Sequence, residues 1–536
     1  GMLIANRLVR GVGLAAVMVV GAGWLGGGQA GFGAGAAMAA VAAAEDPKDP
    51  APSVTTGSVM VEGVGEVKYR ATAGLLPIMD DRLKIKARVF YVAYERLNEA
   101  GEPLSPEQRA ARPVTFAFNG GPGSSSVWLH MGALGPRRVK MGPEGETLPR
   151  HAVVSNEHSW LGFTDLVFID PVSTGYSRAA EGEDARQFHG LDEDVRAVGE
   201  FIRLYLVRSE RWLSPKYLCG ESYGTTRAAA LAPHLQGTLG ITLDGLVLIS
   251  PVLNFQTLRF DIGNDTPFWL YLPAYTATAW HHRRLSGPLA EDLEAALRAS
   301  EAFAGGEYLT ALAKGDALSD EERTRIARRV AELTGLSEGF VLRSDLRVSI
   351  GNFTKELLRE QGRTVGRLDS RYTGIDRNEI GATPEFDPSY AAIHGPYTAA
   401  LNAYVRGELK FQSDLNYEIL TGAVQPWNYA PNVNRYANVA EGLRSAMSQN
   451  RHLRVHSALG YYDLATPYWA MLHTKRHLNL DPSLRGNLSE SFYRSGHMMY
   501  VREEDLAGLK RNVEAFYAGA ATMPASSPGR PGVGGK

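Results

Sequence analysis

Four short apolar runs constrain this chain more than any other feature: Val114 to Phe118, Leu166 to Ile169, Tyr217 to Cys219 and Leu243 to Ile249. Each ends in small or polar residues, and helix-periodic stretches separate them, notably Leu191 to Leu206 and Thr225 to Leu235. A run that stays apolar without alternation suits a strand covered on both faces. Such strands, alternating with helices, build a mostly parallel sheet with helices on either side. Upstream, Lys84 to Val92 alternates as a strand does, and Met79-Asp80-Asp81-Arg82 before it suits a hairpin turn, so antiparallel strands extend one edge. Strand patterning returns at Leu453 to Leu459 and Glu490 to Tyr493.

Between these two blocks, Ser286 to Leu358 is charged and helix-periodic, with Ser319-Asp320-Glu321-Glu322 as a capped start. A helical block set into an α/β protein reads as a lid or cap over its site. The predicted organisation is a signal peptide over 1–44, a linker over 45–65, an α/β core in two parts (66–254 and 401–517), a helical cap insertion over 255–400 and a disordered tail over 518–536. The tail, rich in Gly, Pro, Ser and Ala, has little to bury.

The leader reading rests on Arg7 and Arg10, the uncharged and mostly apolar Gly11 to Leu25, and small residues ending in Ala42-Ala43-Ala44 before Glu45. A retained membrane anchor is the alternative, but the apolar core is shorter than the roughly 20 residues a span requires. A periplasmic or secreted protein, cleaved after Ala44, is expected. The chain of 536 residues has one cysteine, Cys219, which excludes an intramolecular disulfide and any multi-cysteine metal site. Its 56 Lys and Arg against 58 Asp and Glu give a net charge of −2, without the basic surplus of a nucleic-acid binder.

Gly220-Glu221-Ser222-Tyr223-Gly224 fits G-x-S-x-G between a strand and a helix. That setting strains the serine into exposure and aims a helix N-terminus at it, where a developing oxyanion is favoured. Gly335-Leu336-Ser337-Glu338-Gly339 matches the same pattern but follows a helix, so it reads as a helix C-cap loop. A serine hydroxyl needs a base, and the base needs an orienting acid. The order expected on this fold is Ser, Asp, His. Asp463 follows the strand at 453–459, and His497 follows the strand at 490–493, both just past strand ends where open α/β sheets gather their chemistry. His473 and His477 stand four apart, but Thr474 replaces the Glu of a metalloprotease H-E-x-x-H frame, so they read as surface residues.

Several segments now resemble the serine carboxypeptidase family: Asn119-Gly120-Gly121-Pro122-Gly123-Ser124-Ser125-Ser126, Asn156 through Trp160, Asp170-Pro171-Val172 through Gly175-Tyr176-Ser177, Gly220-Glu221-Ser222-Tyr223 and Gly496-His497-Met498. The similarity runs from roughly Thr115 to Tyr500, interrupted by the helical block. It implies an α/β-hydrolase fold with an inserted helical cap, in a bacterial-type member. It also implies a triad of Ser222, Asp463 and His497, and an oxyanion hole from the backbone N–H groups of Gly121 and Tyr223. Asn119 and Glu221 would bind the substrate's terminal carboxylate. Two carboxylates within hydrogen-bond distance share a proton, so binding would require protonated Glu221 and favour acid pH. The implied partner is a peptide with a free C-terminus, and neither cofactor nor metal is called for.

Ala117 and Ala133 stand where the family has Trp and often an acidic residue, which predicts a thinner carboxylate-binding network. Ser124 replaces the usual Cys, and Gly224 and Thr225 replace the usual Ala and Gly. A serine esterase or acyltransferase on the same triad therefore stays open, as does a non-catalytic binding protein on the same fold.

Overall fold

A computed structural model describes residues 51–432 and 434–519. Nine strands form the path of its central sheet: β1 (Ser53–Val61), β2 (Gly65–Met79), β3 (Ile85–Arg96), β4 (Val114–Phe118), β5 (Asp165–Ile169), β6 (Lys216–Glu221), β7 (Gly245–Ile249), β8 (Arg454–Gly460) and β9 (Leu488–Tyr493). They lie in the order β1-β2-β3-β5-β4-β6-β7-β8-β9, and the two-residue strand Arg178–Ala179 pairs with β3. The six neighbours from β5 to β9 are parallel, and β1, β2 and β3 join antiparallel at one edge. This is the expected α/β-hydrolase architecture.

The unbroken apolar runs are explained by two covered faces. Val114, Phe116 and Phe118 of β4 join one core cluster with Val167, Ile169, Leu218, Leu246 and Leu248. Their neighbours Ala117, Leu166, Phe168, Cys219, Val247 and Ile249 join the cluster on the other face. Burying each large apolar side chain contributes about 1.5–3 kcal/mol, and the one buried polar residue of β4, Thr115, is hydrogen-bonded to Thr164 and Tyr517. Helices α1 (Leu191–Arg208) and α2 (Tyr223–Gly237) supply Val195, Phe201, Ala228 and Leu231 to the first cluster.

The helical block contains α3 (Thr266–His281), α4 (Asp320–Thr334), α5 (Glu338–Arg343) and α6 (Pro388–Gly407), with further helices at Leu293–Phe303 and Ile350–Glu356 and shorter turns between them. Ser319 caps α4 through the predicted capping box with Glu322. Two boundaries differ from expectation. Residues 53–61, expected within the 45–65 linker, form β1; Val59 and Val61 point inward while Val54 and Met60 are exposed, so this edge strand shows an apolar signal on one face only. The cap boundary at 400 falls inside α6, whose Tyr397, Leu401 and Tyr404 pack in the same cluster as the sheet residue Ala117. A helix-periodic sequence does not reveal which surface its apolar stripe covers.

The predicted leader over 1–44, and the tail beyond position 519, lie outside the described residues. Among the described residues, no helix is long and apolar enough to cross a membrane.

Candidate active site

The site is built at the carboxyl ends of four adjacent parallel strands. Ser222 directly follows β6, Ser250 follows β7, Asp463 lies three residues past β8, and His497 lies four past β9. Sequence reasoning singled out three of these four.

Ser222 has φ 59° and ψ −129°, a conformation that a side chain disfavours and that non-glycine residues rarely hold outside functional turns. The turn persists because its surroundings fix it. The Ser222 amide donates to Ile249 O at 3.0 Å, and α2 begins at the next residue. A Cβ on Gly220 would collide with the carbonyl of Gly224, so only glycine lets the strand and helix approach this closely. Ser222 itself is part-exposed, while Glu221 and Tyr223 on either side are buried.

His497 and Asp463 meet directly, with Nδ1 at 2.8 Å from Asp463 Oδ2. Asp463 Oδ1 accepts from the amides of Ala465 and Thr466 at 2.7 and 2.9 Å, which fixes the carboxylate before it engages the ring. With Nδ1 held by this acceptor, the proton of the neutral imidazole sits there and Nε2 keeps its lone pair. Burial works against the imidazolium, but the Asp463 charge and hydrogen bond, with help from Glu221, outweigh it and raise the His497 pKa above 6.5.

Asn119 and Glu221 are also brought together. Asn119 Nδ2 donates to Glu221 Oε1 at 3.0 Å, and Asn119 Oδ1 accepts from the Leu129 amide at 3.0 Å. Both side chains are buried. Burial pushes the Glu221 pKa up to about 7, against the lowering pull of His497 and of the hydrogen bonds from Tyr500 and Asn119. Glu221 thus changes charge near neutrality, one residue from Ser222.

The loops carrying Gly121 and Tyr223 touch. A Cβ on Gly120 would collide with the Tyr223 amide nitrogen and lie 2.7 Å from that of Gly224. Gly121 has φ 103°, in the left-handed region open to glycine. Arg227, on α2, locks the same loop: its Nη1 donates to Asn119 O at 2.6 Å and its Nε to Asp194 Oδ2 at 2.6 Å, with both charged groups buried. Paired in this way the buried ions are tolerated, whereas loss of either partner would strand the other.

Several site residues were missed from the sequence. Thr466 Oγ1 lies 2.8 Å from Asp463 Oδ2 and 3.2 Å from His497 Nδ1. Ser250 Oγ donates to His497 O at 2.6 Å, and Asp369, from the helical block, accepts from the Gly496 amide at 2.9 Å. Tyr500 donates to Glu221 Oε2 at 2.5 Å. A spacing of three from a motif residue was the only available hint for Thr466 and Tyr500, and Ser250 and Asp369 had none. Ala117 and Ala133 are both fully buried. His473 is partly buried beside Trp269, and His477 is exposed. Among the described residues, no three His, Cys, Asp or Glu side chains gather in a way that could hold a metal ion.

Comparison with known proteins bears on this geometry. Residues 64–288 match the family model described as serine carboxypeptidase. Serine carboxypeptidase-like 19 of Arabidopsis thaliana is 29% identical over 153 residues, 26% of this chain and 31% of that protein. Pheromone-processing carboxypeptidase KEX1 of Coprinopsis cinerea is 33% identical over 138 residues, 25% of this chain and 21% of that protein. Carboxypeptidase Y of Schizosaccharomyces pombe is 26% identical over 217 residues, 39% of this chain and 19% of that protein. The matched segments thus span less than a third of these relatives. The crystal structure of Kex1(delta)p, a prohormone-processing carboxypeptidase from Saccharomyces cerevisiae, superposes with a TM-score of 0.52 and 16% identity over 84% of this chain and 91% of that one, a likeness of fold. These relatives are fungal and plant proteins, and the bacterial-type expectation finds no support among them. Over residues 64–288 the chain is similar to the serine carboxypeptidase family, and its fold is that of an α/β-hydrolase.

Proposed function

We propose that the protein is a serine carboxypeptidase that releases C-terminal residues from peptides through an acyl-enzyme on Ser222. The observation that carries this reading is the buried Asn119–Glu221 pair immediately before Ser222. A neutral carboxyl beside an amide N–H is a fitting receptor for a carboxylate, because it donates to the incoming charge where an ionised one would repel it.

In this mechanism His497 takes the proton of Ser222, which attacks the terminal peptide carbonyl. The backbone N–H groups of Gly121 and Tyr223 hold the oxyanion, helped by the N-terminus of α2. His497 then protonates the leaving amino acid, water attacks the acyl-enzyme with His497 as base, and Ser222 is regenerated. Asp463 stabilises the imidazolium formed in each half-reaction.

The pH dependence follows from two groups with opposite demands. Terminal-carboxylate binding needs neutral Glu221 and is lost as pH rises through about 7. Attack by Ser222 needs neutral His497 and is lost as pH falls below its raised pKa. The optimum is a compromise between them, set on the acid side by the histidine.

Hydrolysis of a blocked dipeptide compared with its C-terminal amide tests the reading. The free acid should be preferred, most strongly below neutrality. Equal rates on both across pH would remove carboxylate recognition. That outcome would favour the second reading, a serine esterase or acyltransferase, which the small buried Ala117 and Ala133 support. Export to the periplasm or medium is part of the proposal, and an N-terminus beginning at Glu45 in the mature protein would confirm it.

A further inference from the structure

Tyr500 lies three residues after His497 in a short 3-10 turn, Met499–Val501. Its ring fills a hollow beside Gly132, where a Cβ would collide with Tyr500 and lie 2.6 Å from the Tyr397 hydroxyl. The Tyr500 hydroxyl is buried and donates to Glu221 Oε2 at 2.5 Å, while Asn119 donates to Oε1. Both carboxylate oxygens therefore face donors. An ionised carboxylate accepts both bonds fully, whereas a neutral one must commit one oxygen to its own proton.

The other groups facing Glu221 come from four elements. His497 and Asp463 act on it from the strand ends with opposite signs. Cys219 on β6 and Tyr397 on α6 both interact with its charge, and burial holds the thiol and the phenol in their neutral forms. The histidine and aspartate are committed to each other, which leaves Tyr500 and Asn119 as the donors that favour the ionised state.

We propose that Tyr500 is a positioning residue whose hydrogen bond to Glu221 sets the upper pH limit for binding a substrate's terminal carboxylate. The inference rests on the carboxylate-recognition role given to Glu221 above. It has a counter-intuitive consequence: removing the phenol should extend binding to higher pH. The neutral carboxyl, no longer competing with a stabilised anion, would persist further into the alkaline range.

The experiment is KM against pH for a blocked dipeptide and its C-terminal amide, in wild type, Tyr500→Phe and Tyr500→Gln. In the wild type, KM for the free acid should climb as pH passes about 7, with no matching climb for the amide. In Tyr500→Phe that climb should move up by about one pH unit, the size of one hydrogen bond to a charged group. Tyr500→Gln returns an N–H donor and should bring the climb back toward its wild-type position. An unmoved or downward-moved climb in Tyr500→Phe overturns the proposal, and an equal shift in both variants assigns the effect to packing and overturns it too. Should Tyr500→Phe fail to fold, Tyr500→Met against Tyr500→Gln reads the same difference. If wild-type acid and amide profiles coincide, it is the role of Glu221 that falls, a result distinct from any behaviour of Tyr500.

Discussion

The chain writes G-x-S-x-G twice, and its fold treats the two copies as different objects. Ser222 sits between β6 and α2 with φ 59°, and its side chain makes no cap bond to the helix it precedes. Ser337 sits between α4 and α5 with φ −75° and ψ 144°, and its Oγ accepts from the Phe340 amide at 3.1 Å as an ordinary N-cap. Gly335 ends α4 in the left-handed conformation at φ 70°. Around Ser222 the first glycine is there because strand and helix backbones nearly touch. Around Ser337 a Cβ on Gly339 would meet only the flexible end of Arg343, at 3.3 Å. The five-letter pattern is therefore permissive, and the strand before it is what converts a helix cap into a strained, part-exposed hydroxyl.

The largest effect should separate the two serines outright. Ser222→Ala is expected to abolish fluorophosphonate labelling and to cost about 10⁶ in turnover, as loss of a triad nucleophile does. Ser337→Ala should label at the wild-type rate; labelling that survived Ser222→Ala would break the distinction.

Next in size, Asp463→Asn should lower kcat by about 10⁴, because the amide can hold the imidazole in the wrong tautomer. In the wild type, the labelling rate should rise with pH as His497 loses its proton, with a midpoint above the ordinary 6.5. A midpoint below that value would contradict the Asp463–His497 coupling.

Smaller still are the glycines. Gly220→Ala should destabilise the fold by about 1–3 kcal/mol through overpacking of the strand–helix turn, measured by denaturant unfolding. Gly339→Ala, inside α5, should be neutral or stabilise by up to about 1 kcal/mol. If both cost the same, close backbone approach is not what distinguishes the two motifs. Ser337→Ala, likewise small, should cost about 1 kcal/mol through loss of its cap bond, while turnover stays intact.

Much of this was legible in the chain as written. Runs such as Val114–Phe118 read as strands covered on both faces, because five largely apolar residues without alternation are too short for a buried helix such as α3. The order of Ser222, Asp463 and His497 at strand ends followed from the same pattern. β1 was not legible, since an edge strand buries one face and its Ser and Thr residues look like a connector. Nor was the extent of α6, whose stripe covers the sheet although its pattern resembles that of the block before it.

What the sequence determined by itself was whatever depends on neighbours along the chain: strand and helix type, the capping box at Ser319, and the strand-to-helix turn at Ser222. The tertiary structure alone decided which groups distant along the chain hydrogen-bond to one another. Thr466 beside His497, Asp369 from the helical block on the Gly496 amide, Arg227 on Asn119 O, and Tyr500 on Glu221 are such cases. Hydrogen bonds are short-ranged and directional, so they register only when folding brings two groups within about 3 Å, and no local pattern encodes that meeting.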